Sequence, residues 1–197
     1  VDVLLHQNLF EASKSGEDYD LTSIFEDSLV QLNPDRAVTF VDNHDTQRGQ
    51  ALESTVEEWF KPAAYALILL RQEGLPCVFY GDYYGISGQY AQQNFKDVLD
   101  RLLAIRKELA YGEQTDYFDD PNCIGWVRSG AENQSPLAIV ISNAQANSKT
   151  MFVGQEWADQ TFVDLLANHP DQVTINAEGY GDFPVTERSL SVWGLAN

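Results

Sequence analysis

The sequence predicts an α/β segment followed by an all-β domain, and two observations carry that prediction. Up to residue 112, short apolar runs alternate with stretches of helical periodicity, the grammar of βαβ units. From Gln114 onward helical spacing gives way to short β-type runs between turn residues: CIGWV, LAIVIS, KTMFVG, TFVDLL, VTINA, GDFPV and SLSVWGL. The expected domains are therefore 1–112 and 113–197, with the boundary within Tyr111–Thr115.

Val1–Leu5 is an apolar β-type run that suits the end of a buried strand. After the polar stretch SKSGEDYD, the segment LTSIFEDSLVQL has the spacing of a short helix capped near Asp20 or Thr22. AVTFV (37–41) is a compact strand that ends abruptly in DNHDTQ. A helix is expected from Ser54 or Thr55 to Gly74, with Pro62 as a kink. LPCVFYG then reads as a second buried strand opening into the loop DYYGISGQY. A third helix is placed over NFKDVLDRLLAIRKELAYG, its apolar stripe running through Val98, Leu102, Leu103, Ile105 and Leu109 to a stop at Gly112.

Thirty acidic against twelve basic residues give a formal charge of −18, which repels a phosphate backbone and excludes nucleic acid as a natural partner. The most apolar stretch, Ala63–Leu70, is far shorter than the roughly 18 residues a membrane span needs. Cys77 and Cys123 sit in apolar strand-like runs without a second ligand at metal spacing, and read as buried free thiols. Together with an N-terminus lacking the basic flank of a secretory signal, they favour a cytoplasmic compartment, with secretion as the alternative.

The chemistry concentrates in FVDNHDTQ, where Asp42 and Asp45 flank Asn43 and His44 at the end of a buried strand. Catalytic groups of parallel barrels collect at such strand ends. AVTFVDNHDTQ resembles the strand-seven motif of the α-amylase family of glycoside hydrolases. GLPCVFYGDYYG resembles that family's strand-eight end, AYGEQTDYF its junction into a C-terminal β domain, and INAEGYGDF a motif near the end of bacterial liquefying-type and cytoplasmic amylases.

The resemblance implies a partial (β/α)₈ barrel, strands six to eight, followed by a Greek-key β-sandwich. It makes Asp45 the third catalytic carboxylate, a transition-state stabiliser, with His44 hydrogen-bonding the sugar ring. Asn43, Gln47, Tyr83 and Tyr84 are further substrate-binding candidates, and Trp59 is expected in the core. The family's nucleophile motif, of the type GFRLDAVKH, and its general-acid motif, of the type AEYW, occur nowhere in the chain. A complete barrel needs roughly 250 residues, so a chain of 197 is expected to be inactive alone and to need a complementary N-terminal amylase portion or a second copy of itself. The rival expectation is a non-catalytic glucan-binding or interaction module. For calcium, the resemblance implies a site in a full enzyme and nominates Glu17, Tyr19 and Asp120 here, but Asn122 and Asn143 stand where carboxylates are expected, which argues against a hard cation in this chain.

Overall fold

A computed structural model describes all residues, 1–197, which separate into two compact units: Val1–Asp18 with Ser23–Ala104, and Tyr19–Thr22 with Ile105–Asn197.

The first unit opens on a helix, α1 (Val3–Ser15), and this corrects the strand expected at Val1–Leu5. The first five residues look like a strand because they are apolar, yet Val1, Val3 and Leu4 face solvent. The buried positions are Leu5, His6, Leu9, Ala12 and Ser13, a helical stripe that only the longer window shows. Asp2 caps the helix, accepting from Leu5 N at 3.0 Å, and the same carboxylate accepts from Leu29 N and Val30 N at the start of α2 (Leu29–Leu32). LTSIFEDSLVQL is thus not one helix. A 3₁₀ turn at Leu21–Ser23 and α2 are separated by Asp27, held at φ 58°, although Asp20 does cap Thr22 N as its type suggests.

Strand β1 (Val38–Phe40) pairs in parallel with β2 (Leu75–Cys77), in the register Val38↔Leu75 and Phe40↔Cys77. Between them runs α3 (Lys61–Leu69), almost wholly buried. It begins seven residues after Ser54 because Ser54, Thr55 and Val56 are taken by the loop before it: Ser54 N and Thr55 Oγ1 donate to Thr46 O, and Val56 N to the Asp42 carboxylate. Pro62 therefore sits in the helix's first turn, where its missing N–H costs nothing, and introduces no kink. Two further expectations change. β2 is largely exposed, Cys77 included, so only Cys123 is a buried thiol; burial pushes it up to about 11. Tyr83 and Tyr84 lie on a short helix, α4 (Tyr80–Tyr84), not in a loop. In α5 (Lys96–Leu109) the buried stripe is Leu99, Leu102 and Ile105, whereas Leu103 is exposed.

The second unit is an antiparallel sandwich. One sheet has the order β3 (Gln114–Tyr117), β4 (Cys123–Arg128), β5 (Leu137–Ser142), β10 (Ser189–Leu195), β7 (Thr161–Asp164) and β8 (Gln172–Thr174). The other pairs β6 (Asn147–Phe152) with β9 (Tyr180–Val185). Inward residues of both sheets, among them Val140, Met151, Phe162, Phe183 and Trp193, form one apolar core. No helix is long and apolar enough to cross a membrane.

Candidate functional site

The turn after β1 is built so that its backbone bonds point inward and two side chains point out. Asn43 Oδ1 accepts from Asp45 N at 2.9 Å and Thr46 N at 3.1 Å, an Asx turn that short amide side chains favour. Thr46 Oγ1 accepts from Asn43 N at 3.0 Å and donates to Asp42 Oδ1 at 2.9 Å, while Gln47 N closes back on Asn43 O. With those donors satisfied, His44 and Asp45 project into solvent, their side chains 83% and 58% exposed, with His44 Nε2 at 3.5 Å from Asp45 Oδ1. An outward carboxylate beside an outward imidazole can accept from and donate to the hydroxyls of a polyol.

The two aspartates of the motif therefore part company: Asp45 is offered to solvent and Asp42 is buried. Asp42 Oδ2 lies 3.3 Å from Lys61 Nζ, and the same ammonium hydrogen-bonds Asp82 Oδ1. Burial pushes Asp42 up to about 7; Lys61 opposes that rise and Asp82 adds to it. Beneath the turn, His6 Nδ1 meets Val41 O at 2.6 Å and Nε2 meets Ser54 Oγ at 2.8 Å, with the ring stacked on Phe40. A carbonyl only accepts, so Nδ1 carries the proton, while Ser54 Oγ lies within reach of both Nε2 and Leu52 O, the latter at 3.0 Å. Burial holds His6 below its usual range, consistent with a neutral ring.

Asn43, His44, Asp45 and Gln47 are thus brought into one turn, with Asn43's side-chain oxygen spent on the turn itself. Of the aromatics on α4, Tyr84 is exposed, whereas Tyr83 donates its hydroxyl to Asp100 Oδ1 at 2.5 Å and lies under Lys96 Nζ, 5.1 Å from the ring centroid. Trp59 is half-buried and tied to α1 by its Nε1–H to Ser13 O. Sequence reasoning missed Lys61, Tyr65, Asp82 and Gln92, the buried polar set behind the turn. The available signal was a lysine in the apolar run WFKPAAYAL, since buried charge requires a partner.

Of the calcium candidates, Glu17 belongs to the first unit, and Tyr19 and Asp120 to the second. Tyr19 O accepts from Asn143 Nδ2 at 2.8 Å, Asn143 Oδ1 accepts from Asn122 Nδ2 at 2.8 Å, and Asp120 Oδ1 accepts from Asn122 N. Amide hydrogens thus occupy oxygens that a hard cation would need. Nowhere do three or more His, Cys, Asp or Glu side chains gather to hold a metal ion.

Residues 137–194 match the family described as Alpha-amylase C-terminal. The glucan 1,4-α-maltohexaosidase of Bacillus sp. (strain 707) is 51% identical over 194 residues, 98% of this chain and 37% of that protein. The cytoplasmic α-amylase of Escherichia coli (strain K12) is 43% identical, across 98% of this chain and 41% of its own length. The sequence is that of the C-terminal part of an α-amylase. The chain spans well under half the length of these curated relatives. An Anoxybacillus α-amylase crystal structure superposes with a TM-score of 0.63 at 21% identity, covering 96% of this chain and 46% of the other, a likeness of fold.

Proposed function

We propose that this chain supplies one wall of the active site of an α-amylase-type hydrolase that cleaves internal α-1,4-glucosidic bonds of starch or glycogen with retention. In this reading β1 and β2 are strands seven and eight of a (β/α)₈ barrel, and the β-sandwich is the C-terminal domain. The observation that carries it is the turn geometry: backbone donors consumed internally, Asp45 and His44 free to meet sugar hydroxyls.

Retaining glycosidases set a nucleophile and a general acid about 5 Å apart around an oxocarbenium-like transition state. Asp45 is the third carboxylate, accepting from hydroxyls of the distorting ring so that its bonds strengthen in the transition state. His44 donates beside it, Gln47 flanks the same turn, and Tyr84 offers an exposed ring for a sugar face. The nucleophile and acid come from a complementary N-terminal amylase portion, and the chain alone does not hydrolyse starch. The apolar residues left exposed on the first unit, Leu32, Leu75 and Tyr80 among them, fit a surface that such a portion covers. Free thiols and the cytoplasmic relative support a reducing compartment.

The test mixes the chain with the N-terminal portion of the maltohexaosidase relative and measures starch hydrolysis. Recovered activity, lost about 100-fold or more in Asp45→Ala, supports the proposal. Unchanged activity in Asp45→Ala, or hydrolysis by the chain alone, sinks it, and glucan binding without any hydrolysis favours a binding module.

A further inference from the structure

The largest buried charge cluster in the molecule is not part of the assignment above. Lys61 and Asp82 have no solvent exposure and Asp42 almost none. Lys61 Nζ also reaches Gln92 Oε1 at 3.2 Å and lies 5.5 Å from the centroid of the Phe95 ring. The remaining acceptor sites are filled: Asp82 takes the Tyr65 hydroxyl at 2.5 Å and Gln92 Nε2 at 2.8 Å, and Asp42 takes Thr46 Oγ1 and Val56 N. One ammonium thus joins the end of β1, the first turn of α3, α4 and the strand-like stretch at residue 92.

Stability alone is a poor reason for such a set, because well-packed apolar side chains often replace buried ion pairs without loss. What the ammonium does that apolar packing cannot is fix two carboxylates at bonding distance from one atom. Asp42 lies three residues before Asp45 and shares Thr46 with its turn, while Asp82 directly precedes Tyr83 and, through its main-chain oxygen, holds Phe95 N at 2.7 Å.

We propose that Lys61 is a positioning residue that locks the His44–Asp45 turn to the Tyr80–Tyr84 helix, so that both present to the glucan as one rigid rim. The importance of that rim rests on the reading of Asp45 given above. Two carboxylates share one ammonium, so a single negative charge is left over among buried side chains. Burial foremost, with the neighbouring Asp82 charge adding to it against the pull of Lys61, pushes Asp42 up to about 7. The groups facing it are Lys61 and Tyr65 from α3 and Asp82 from α4, with Thr46 and Gln92 neutral; Tyr65 is raised well above its usual range and stays protonated. When Asp42 takes up its proton, Lys61 is held by Asp82; when it releases it, Lys61 is shared. The turn and α4 therefore sense one titration.

Amide NMR of the 197-residue chain between pH 5 and 9 reads this directly. In the unaltered chain, the amides of Asn43, Asp45, Thr46, Tyr83 and Tyr84 move with one common midpoint near neutrality. In Asp82→Asn, which keeps the Lys61–Asp42 pair, the midpoint of the turn falls by a unit or more and the Tyr83 and Tyr84 amides stop following it. Because Lys61→Met alone strands two buried carboxylates and can fail to fold, it is carried together with Asp82→Asn; that pair uncouples the segments as well. Turn amides titrating identically in all three proteins overturn the proposal. In the reconstituted enzyme, Asp82→Asn lowers kcat roughly 10-fold at nearly constant KM and moves the neutral limb of the pH profile to lower pH. A merely structural role lowers the active fraction without moving that limb, and this result also overturns it. If the NMR coupling is present and no N-terminal portion restores hydrolysis, Lys61's coupling stands and the reading of Asp45 falls.

Discussion

The two units solve the problem of burial in opposite ways. The second closes on itself: both sheets turn apolar faces inward, and Phe162, Phe183 and Trp193 meet edge to face or tilted with centroids 6.0–6.2 Å apart. The first has a parallel sheet of only two strands, leaves Leu32, Leu75 and Tyr80 in solvent, and places a lysine and two aspartates at the centre of its packing. A unit that completes its own core has little spare surface to give to chemistry. In the first unit, the strand end, the polar network and the exposed carboxylate lie together, and there the candidate site lies.

The strongest test of this contrast is Phe183→Ala. Removing a fully buried ring from the sandwich is expected to cost about 3–5 kcal/mol, read from urea denaturation followed by amide exchange in β4 and β5. Amides of α3 in the first unit should keep their protection at low denaturant. If α3 loses protection in step with β4, the two units do not hold themselves together separately and the comparison breaks.

Next in size is Asp2→Ala. One buried carboxylate satisfies the N–H groups of Leu5, Leu29 and Val30, and so starts α1 and anchors α2. Its loss is expected to destabilise the first unit by roughly 2–3 kcal/mol, since capping contacts and unmet buried donors each count for about 1 kcal/mol or more. Asp2→Asn, which retains one acceptor oxygen, should lose less. The sandwich has its own counterpart in Asp164, which accepts from Leu166, Asn168, His169 and Val192. Asp164→Ala should therefore weaken β4 and β5 and spare α1, the reverse of Asp2→Ala, and hydrogen exchange distinguishes the two patterns.

How much of this was legible depends on the range of the interaction. β1, α5 and the succession of sandwich strands show in the sequence because periods of 2 and 3.6 are local properties. The DNHDTQ turn is legible for the same reason: Asn43, Asp45 and Thr46 bond within three residues of each other. α1 was misread because five apolar residues fit a strand, and the stripe through Leu9 and Ala12 lies further on. The late start of α3 follows from Thr46 claiming Ser54 and Thr55, and Lys61 meets Asp82 across 21 residues; no window reports either. Tyr83 looked free to stack on sugar because its partner, Asp100, is 17 residues away on α5.

The pH dependence should also separate the units, by a smaller amount. Asp42 binds its proton more tightly folded than unfolded, about 7 against 3.8, so the first unit is most stable below the unfolded value and loses stability as pH rises through 7. His6 acts in the opposite sense, since its lowered value makes the folded state weaker as pH falls below 6.5. At pH 6.5 the unfolded imidazole is still half protonated, so His6 opposes part of the Asp42 slope until about pH 8. Between pH 6.5 and 8 Asp42 should cost the first unit about 0.8 kcal/mol while His6 returns about 0.4 kcal/mol, and Asp42→Asn should turn the net loss into a small gain. A rising or flat urea midpoint for α3 over that interval contradicts the buried charge assignment.

The smallest effect compares two exposed aromatic pairs. In the sandwich, Phe152 and Tyr180 are direct cross-strand partners on β6 and β9, with ring centroids 5.2 Å apart. In the first unit, Tyr80 and Tyr84 are four residues apart on α4, with centroids 4.7 Å apart. Cross-strand aromatic pairs contribute roughly 0.2–1 kcal/mol and helical pairs about 0.2–0.5 kcal/mol. Phe152 also has its backbone N–H held by the Tyr117 hydroxyl at 3.0 Å, which fixes the strand that carries its ring. Tyr84, by contrast, ends a five-residue helix at Gly85, held at φ 84°. Double-mutant cycles to alanine should therefore give a measurable coupling for Phe152–Tyr180 and less for Tyr80–Tyr84. An equal or larger coupling on α4 would mean that its tyrosines are ordered by each other as firmly as the strand pair is.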